Sequence, residues 1–154
     1  MKVWVSAMRS GALLLLLACV ALPARPAVAA HLTTAALVDW LARYEAAWES
    51  RDADKAAALF TANATYHEMP FDAPIQGAAG IREYWARVTA DQRDIDFSSK
   101  PIVVDDDTGV AEWTARFRAE STGATIELNG VFVLEFDGAG RCTSLREWWH
   151  VRQR

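Results

Sequence analysis

The chain has 154 residues with 20 acidic against 16 basic side chains, and no basic run tracks along it, which excludes a nucleic acid as its main partner. Hydrophobic residues make up 52% of it, so a real core can form, but the length supports one domain rather than two. With 3 histidines, scattered at 31, 67 and 150, there is no metal-ligand spacing, and no Gly-rich phosphate loop or nucleophile elbow points to a cofactor or a covalent mechanism.

Residues 1–30 read as an export signal: Lys2 and Arg9 precede an apolar run from Gly11 to Leu22, and Pro23, Arg25 and Pro26 lead to Ala27-Val28-Ala29. The run is too short for a membrane span. Leu16-Leu17-Ala18-Cys19 also resembles a bacterial lipobox, so a lipoprotein anchored at Cys19 stands as the alternative to a secreted or periplasmic protein. Removing the three basic residues of this segment from 16 leaves 13 against 20 acidic ones, a net charge of −7. The mature domain, 31–154, then keeps Cys142 alone and has no internal disulfide.

Thr33 or Thr34 caps a first helix whose Leu37, Trp40, Leu41, Tyr44, Ala47 and Trp48 recur at three- and four-residue spacing. Asp52 caps a second, Ala53 to Thr61. A short strand, Ala64 to Met69, ends at Pro70, and a loop from Phe71 to Gly77 leads to a third helix, Ala78 to Thr89, with Ile81, Tyr84, Trp85 and Val88 on one face. From Arg93 the period changes to 2. One strand runs from Ile95 to about Val104, a turn follows at Asp105 to Gly109, and Val110 to Ser121 buries Ala111, Trp113, Ala115 and Phe117. The last long hairpin closes the chain. Ile126, Leu128, Phe132, Leu134 and Phe136 alternate inward, Asp137-Gly138-Ala139-Gly140 turns, and Leu145, Glu147, Trp149 and Val151 share the inward face of the second arm. Helices first and a meander last predict an α+β fold with helices packed on an antiparallel sheet.

That order of elements resembles the SnoaL-like branch of the nuclear transport factor 2-like superfamily, on FTANATYHEMPF, IQGAAGIREYW and FDGAGRCTSLREWW. The resemblance implies a cone, with three N-terminal helices inside a strongly curved antiparallel sheet, a small-molecule pocket and a common homodimer. Its closest pattern is that of the ketosteroid isomerases. There Tyr44 matches the oxyanion-hole tyrosine and Glu68 the base. Phe132 falls where that family has its second oxyanion donor, and Trp85 where it has a supporting tyrosine.

From the residues themselves, Glu68 and, by parity, Glu147 are carboxylates among Tyr66, Trp113, Phe117, Phe132 and Trp149, where desolvation suits a carboxyl to proton transfer. Glu68 reads equally as an exposed acid at a strand end, Glu147 as a structural acid paired with an arginine, and Tyr44 as a core tyrosine. Trp48, Tyr66, Phe71, Trp85, Trp113, Phe117, Phe132 and Trp149 are the expected ligand wall. His67 and His150 fall on the outward parity. Val131, Val133 and Trp148 place apolar area outside, which predicts a homodimer. The expected function is binding a small apolar molecule, with acid–base chemistry of isomerase, dehydratase or cyclase type, without a metal or cofactor; the alternative is a non-catalytic binding or association module.

Overall fold

The computed structural model describes residues 31–153; the expected export signal and Cys19 lie outside them. The elements are α1 (Thr34–Glu49), α2 (Ala53–Ala58), β1 (Phe60–His67), β2 (Ile75–Gln76), α3 (Gly77–Val88), β3 (Gln92–Asp105), β4 (Thr108–Ala119), β5 (Thr125–Phe136) and β6 (Cys142–Gln153). Thr33 caps α1 by accepting from the Ala36 N–H at 3.1 Å, and the apolar stripe of α1 from Leu37 to Trp48 is buried as its spacing requires.

The sheet has six strands in the order β2-β1-β6-β5-β4-β3. From β3 to β6 it is an antiparallel meander, but β1 lies beside β6 and runs parallel to it, so the expected antiparallel sheet is in fact mixed. β1 is also longer than expected and α2 shorter. Leu59 ends the helix because its carbonyl is taken by the Cys142 N–H at 2.9 Å, which draws Phe60 and Thr61 into the sheet instead of a further helical turn. Part of the expected loop before α3 is likewise a strand, β2, paired with Thr65 and Tyr66.

The hairpin parity holds. Phe132, Leu134, Phe136, Leu145 and Glu147 are buried while Arg146 and Trp148 face away. Asp137 organises the turn by accepting from the Ala139 and Arg141 N–H groups, and Gly140 takes φ 76, which suits glycine. The bulge between Glu135 and Phe136 and irregularities in β3 near Asp94 and Pro101 are where strands of this length bend. Gly130 is fixed by close approach: a Cβ there would lie 2.6 Å from the Trp148 carbonyl oxygen and 2.8 Å from the Trp113 ring.

Candidate functional site

The meander and the helices enclose a cavity of about 250 Å³ toward the free ends of β5 and β6. Trp48 comes to it from the last turn of α1, Tyr84, Trp85 and Val88 from α3, Tyr66 from β1 with Glu68 just beyond, Trp113 and Phe117 from β4, Ile126 and Leu128 from β5, and Glu147, Trp149 and Val151 from β6. No lysine, arginine or histidine is among the described residues that line it. The alternation of β6 brings Glu147 here: the parity that buries Leu145 must bury the residue two positions on.

Glu147 is 6% exposed, and its Oε1 accepts a hydrogen bond from the Tyr66 hydroxyl at 2.9 Å. Tyr66 thereby commits its one hydrogen. The Tyr44 hydroxyl, 3.2 Å away, is therefore the donor to Tyr66, and the chain of hydrogen bonds runs Tyr44 to Tyr66 to Glu147. Burial pushes the Glu147 carboxyl up to about 8; the Tyr66 hydrogen bond pulls it down and the nearby Glu68 pushes it further up. A carboxyl in this range is mostly protonated at neutral pH and within reach of both states. Burial, and next the charge of Glu147, hold the Tyr66 and Tyr84 phenols above their ordinary values, so both stay neutral. Among the described residues no ion pair reaches Glu147: Arg146, beside it in sequence, faces the other way and pairs with Glu135.

The expected site residues divide. Glu68, Glu147, Trp48, Tyr66, Trp85, Trp113, Phe117 and Trp149 share the cavity wall. Tyr44 is 1% exposed and stands behind Tyr66 and off the wall, its ring packed among Trp40, Trp85 and Phe132. Phe132 is also off the wall, stacked on Trp113 with centroids 5.1 Å apart. Phe71 is 99% exposed, on the turn between β1 and β2. His67 is half-buried and His150 exposed, the latter in a groove on the outward face of the sheet. Among the described residues no group of three or more His, Cys, Asp or Glu side chains converges as a metal site would.

Sequence reading missed Tyr84, Gln92 and the wall residues Val88, Ile126, Leu128 and Val151. Tyr84 was visible on the inward face of its helix, but its place next to Glu68 required the β1–α3 packing. Gln92 had no such signal: it is a polar residue at the start of β3, buried because its Oε1 accepts from the Trp48 indole N–H at 2.7 Å. The indole N–H groups of Trp85 and Trp113 have no acceptor among the described residues. For Trp113 that edge lies over Gly130.

The profile of SnoaL-like domains matches residues 41–145. Among solved structures, the chain is similar to a protein from Mycobacterium tuberculosis (15% identity, 80% of this chain and 99% of that one, TM-score 0.69). It is similar as well to SalBIII, an epoxide hydrolase/cyclase-like enzyme in pyran ring formation in the polyether salinomycin (22% identity, 73% and 89%, TM-score 0.63). A third is a protein of Catenulispora acidiphila with a ketosteroid isomerase-like fold, in complex with trimethylamine (19% identity, 71% and 84%, TM-score 0.64). At these identities the likeness establishes the fold alone. None of the curated proteins matches the sequence.

Proposed function

Since the chain belongs to the SnoaL-like domain family, we propose that its cavity binds a small, largely apolar molecule and carries out acid–base chemistry on it. The fold is then the cone of that family, with α1, α2 and α3 on the inner side of the curved sheet. Glu147 carries this reading: a carboxyl buried without a cation, hydrogen-bonded on one side and open to a cavity on the other, has no structural task that a leucine would not do better. Held neutral, it can donate a proton or a hydrogen bond to a substrate oxygen. Glu68, half-buried at the edge of the same cavity, is the acceptor. Tyr44 acts through Tyr66, by fixing the direction of its hydroxyl, and makes no contact with the substrate.

Proton exchange at the α-carbon of small ketones in D2O tests this without knowledge of the natural substrate. The wild type should exchange faster than buffer, and Glu147→Gln and Glu68→Gln should each lose on the order of 10²-fold or more, the usual contribution of a positioned acid or base. Binding without exchange, in a protein whose Glu147 titrates in the ordinary carboxylate range, would leave only a binding module.

Export and assembly belong to the same proposal. The protein is cleaved after Ala29 and pairs through the outward sheet face, where Val131 and Val133 flank Trp148, which is 48% exposed. Native mass spectrometry of protein recovered from an exporting host reads both: twice the mass of a chain starting at Ala30 or His31 is expected. A diacylated chain starting at Cys19 would make it a lipoprotein, and a monomer would remove the interface.

A further inference from the structure

The cavity is aromatic on its walls and acidic at its polar points, and among the described residues nothing basic lines it. Trp48 and Trp85 meet edge to face with centroids 5.5 Å apart, and Trp48 meets Trp113 at 5.8 Å, so their rings form an angled corner. Trp149, half-buried on β6, lines the cavity and stacks on no other ring among the described residues. The charge-bearing side chains on the wall are Glu68 and Glu147. An anion is repelled by such a site. A wholly apolar molecule fits the rings but must press against two carboxyl groups and satisfy neither.

We propose that the ligand carries an organic cation, a tertiary or quaternary ammonium head, seated against the tryptophan corner and Trp149 and neutralised by Glu68, and by Glu147 in its ionised form. The assignment rests on the reading of the cavity as a small-molecule site and specifies its substrate class. Tryptophan faces attract alkylammonium groups most strongly where water is excluded, and a buried cation needs a nearby carboxylate, so one wall supplies each requirement. The volume of about 250 Å³ corresponds to about eight waters, at a share of roughly 30 Å³ each, which is room for a small ammonium head.

The pH dependence distinguishes a cation from a neutral ligand. The titratable groups around Glu147 are Tyr66 on β1, Glu68 just after it, Tyr84 on α3 and Tyr44 on α1; its partner across on β5 is Phe132. The three phenols stay neutral through the range, so the change in charge that the titration reads falls on Glu147 and not on them. A cation binds the ionised form of Glu147, so its affinity rises as pH rises through about 8. A neutral hydrogen-bond acceptor binds the protonated form, so its affinity falls over the same interval.

The experiment uses choline and its uncharged carbon isostere, in which a tert-butyl group replaces the trimethylammonium head, titrated against tryptophan emission between pH 6 and 9 (a span of about 1–2 units on either side of the carboxyl). Choline is expected to bind at least about tenfold more tightly than the isostere and to gain affinity with pH. Glu147→Gln and Trp149→Leu should each weaken choline about tenfold and the isostere hardly at all. Equal affinities, or a choline affinity that falls with rising pH, overturn the cation assignment but leave α-proton exchange and the raised Glu147 titration intact. Failure of both probes to bind at millimolar concentration also overturns it. A Glu147 that titrates in the ordinary range, with choline still preferred, instead defeats the acid–base function while the cation site stands.

Discussion

Along the β5–β6 hairpin one alternation has two outcomes. Toward the turn, Phe132, Leu134 and Leu145 are fully buried, because Leu37, Trp40 and Leu41 of α1 fill the space between the sheet arms. Toward the free ends, residues of the same parity, Ile126, Leu128 and Trp149, are only half-buried, and Val151 is 59% exposed. There the last turn of α1 and the face of α3 leave the cavity between them. Polar groups follow the same division. At the closed end the Trp40 indole N–H donates to the Leu59 carbonyl at 3.2 Å; at the open end, among the described residues, the Trp85 and Trp113 indole N–H groups have no acceptor and Glu147 has one donor. Completed packing defines the fold at one end, and groups left unpaired define the site at the other.

Truncating one tryptophan at each end tests that contrast most strongly. Trp40 is fully buried and packs edge-on against Phe60 and Phe136, so Trp40→Ala should cost about 3–5 kcal/mol, a large fraction of the stability of a domain this size. Trp149→Ala removes a half-buried ring facing a cavity already present, and should cost about 1 kcal/mol. Urea unfolding measures both, and similar losses would mean that the open end is packed like the closed one.

The next effect is in the pH dependence of stability. The folded Glu147 titrates at about 8, above its unfolded value near 4.5, so the folded state binds the proton more tightly. Its contribution is complete below the unfolded value and is lost as pH rises through the folded one. Between about pH 5 and 8 the wild type should lose on the order of a few kcal/mol that Glu147→Gln does not lose. Parallel unfolding profiles for the two proteins would show that Glu147 is hydrated.

The same contrast explains what could be read in the sequence. Alternation and the Asp137–Gly140 turn fixed the β5–β6 register, and with it the burial of Glu147, because a one-residue slip would have exposed Leu134 and Phe136. The α1 stripe and its Thr33 cap were equally local. The parallel β1–β6 pairing was not local: it joins residues about eighty positions apart, and no pattern in β1 alone names its neighbour. One site assignment depended on it, and a second on the turn that follows β1. Tyr44 looks like a cavity residue from its helix position, but Tyr66, brought in by β1, stands between it and Glu147. Phe71 follows Glu68 closely enough to suggest a wall residue, yet the chain turns at Pro70 and carries the ring outward.

The smallest expected effect separates the two tyrosines. Both hydroxyls belong to one hydrogen-bonded chain, but only Tyr66 touches the carboxyl and only Tyr66 lines the cavity. Its hydrogen bond favours the ionised form of Glu147, so Tyr66→Phe should raise the Glu147 titration further, by about one unit, and cost about 1 kcal/mol of stability at neutral pH. Tyr44→Phe leaves that donor in place and loses only the outer link, so the titration should move by no more than a few tenths of a unit. Carboxyl carbon NMR of glutamate-labelled protein resolves the difference, with Glu147→Gln identifying the resonance. A shift from Tyr44→Phe as large as that from Tyr66→Phe would place the Tyr44 hydroxyl in direct contact with the carboxyl, and the closed end would then extend into the site.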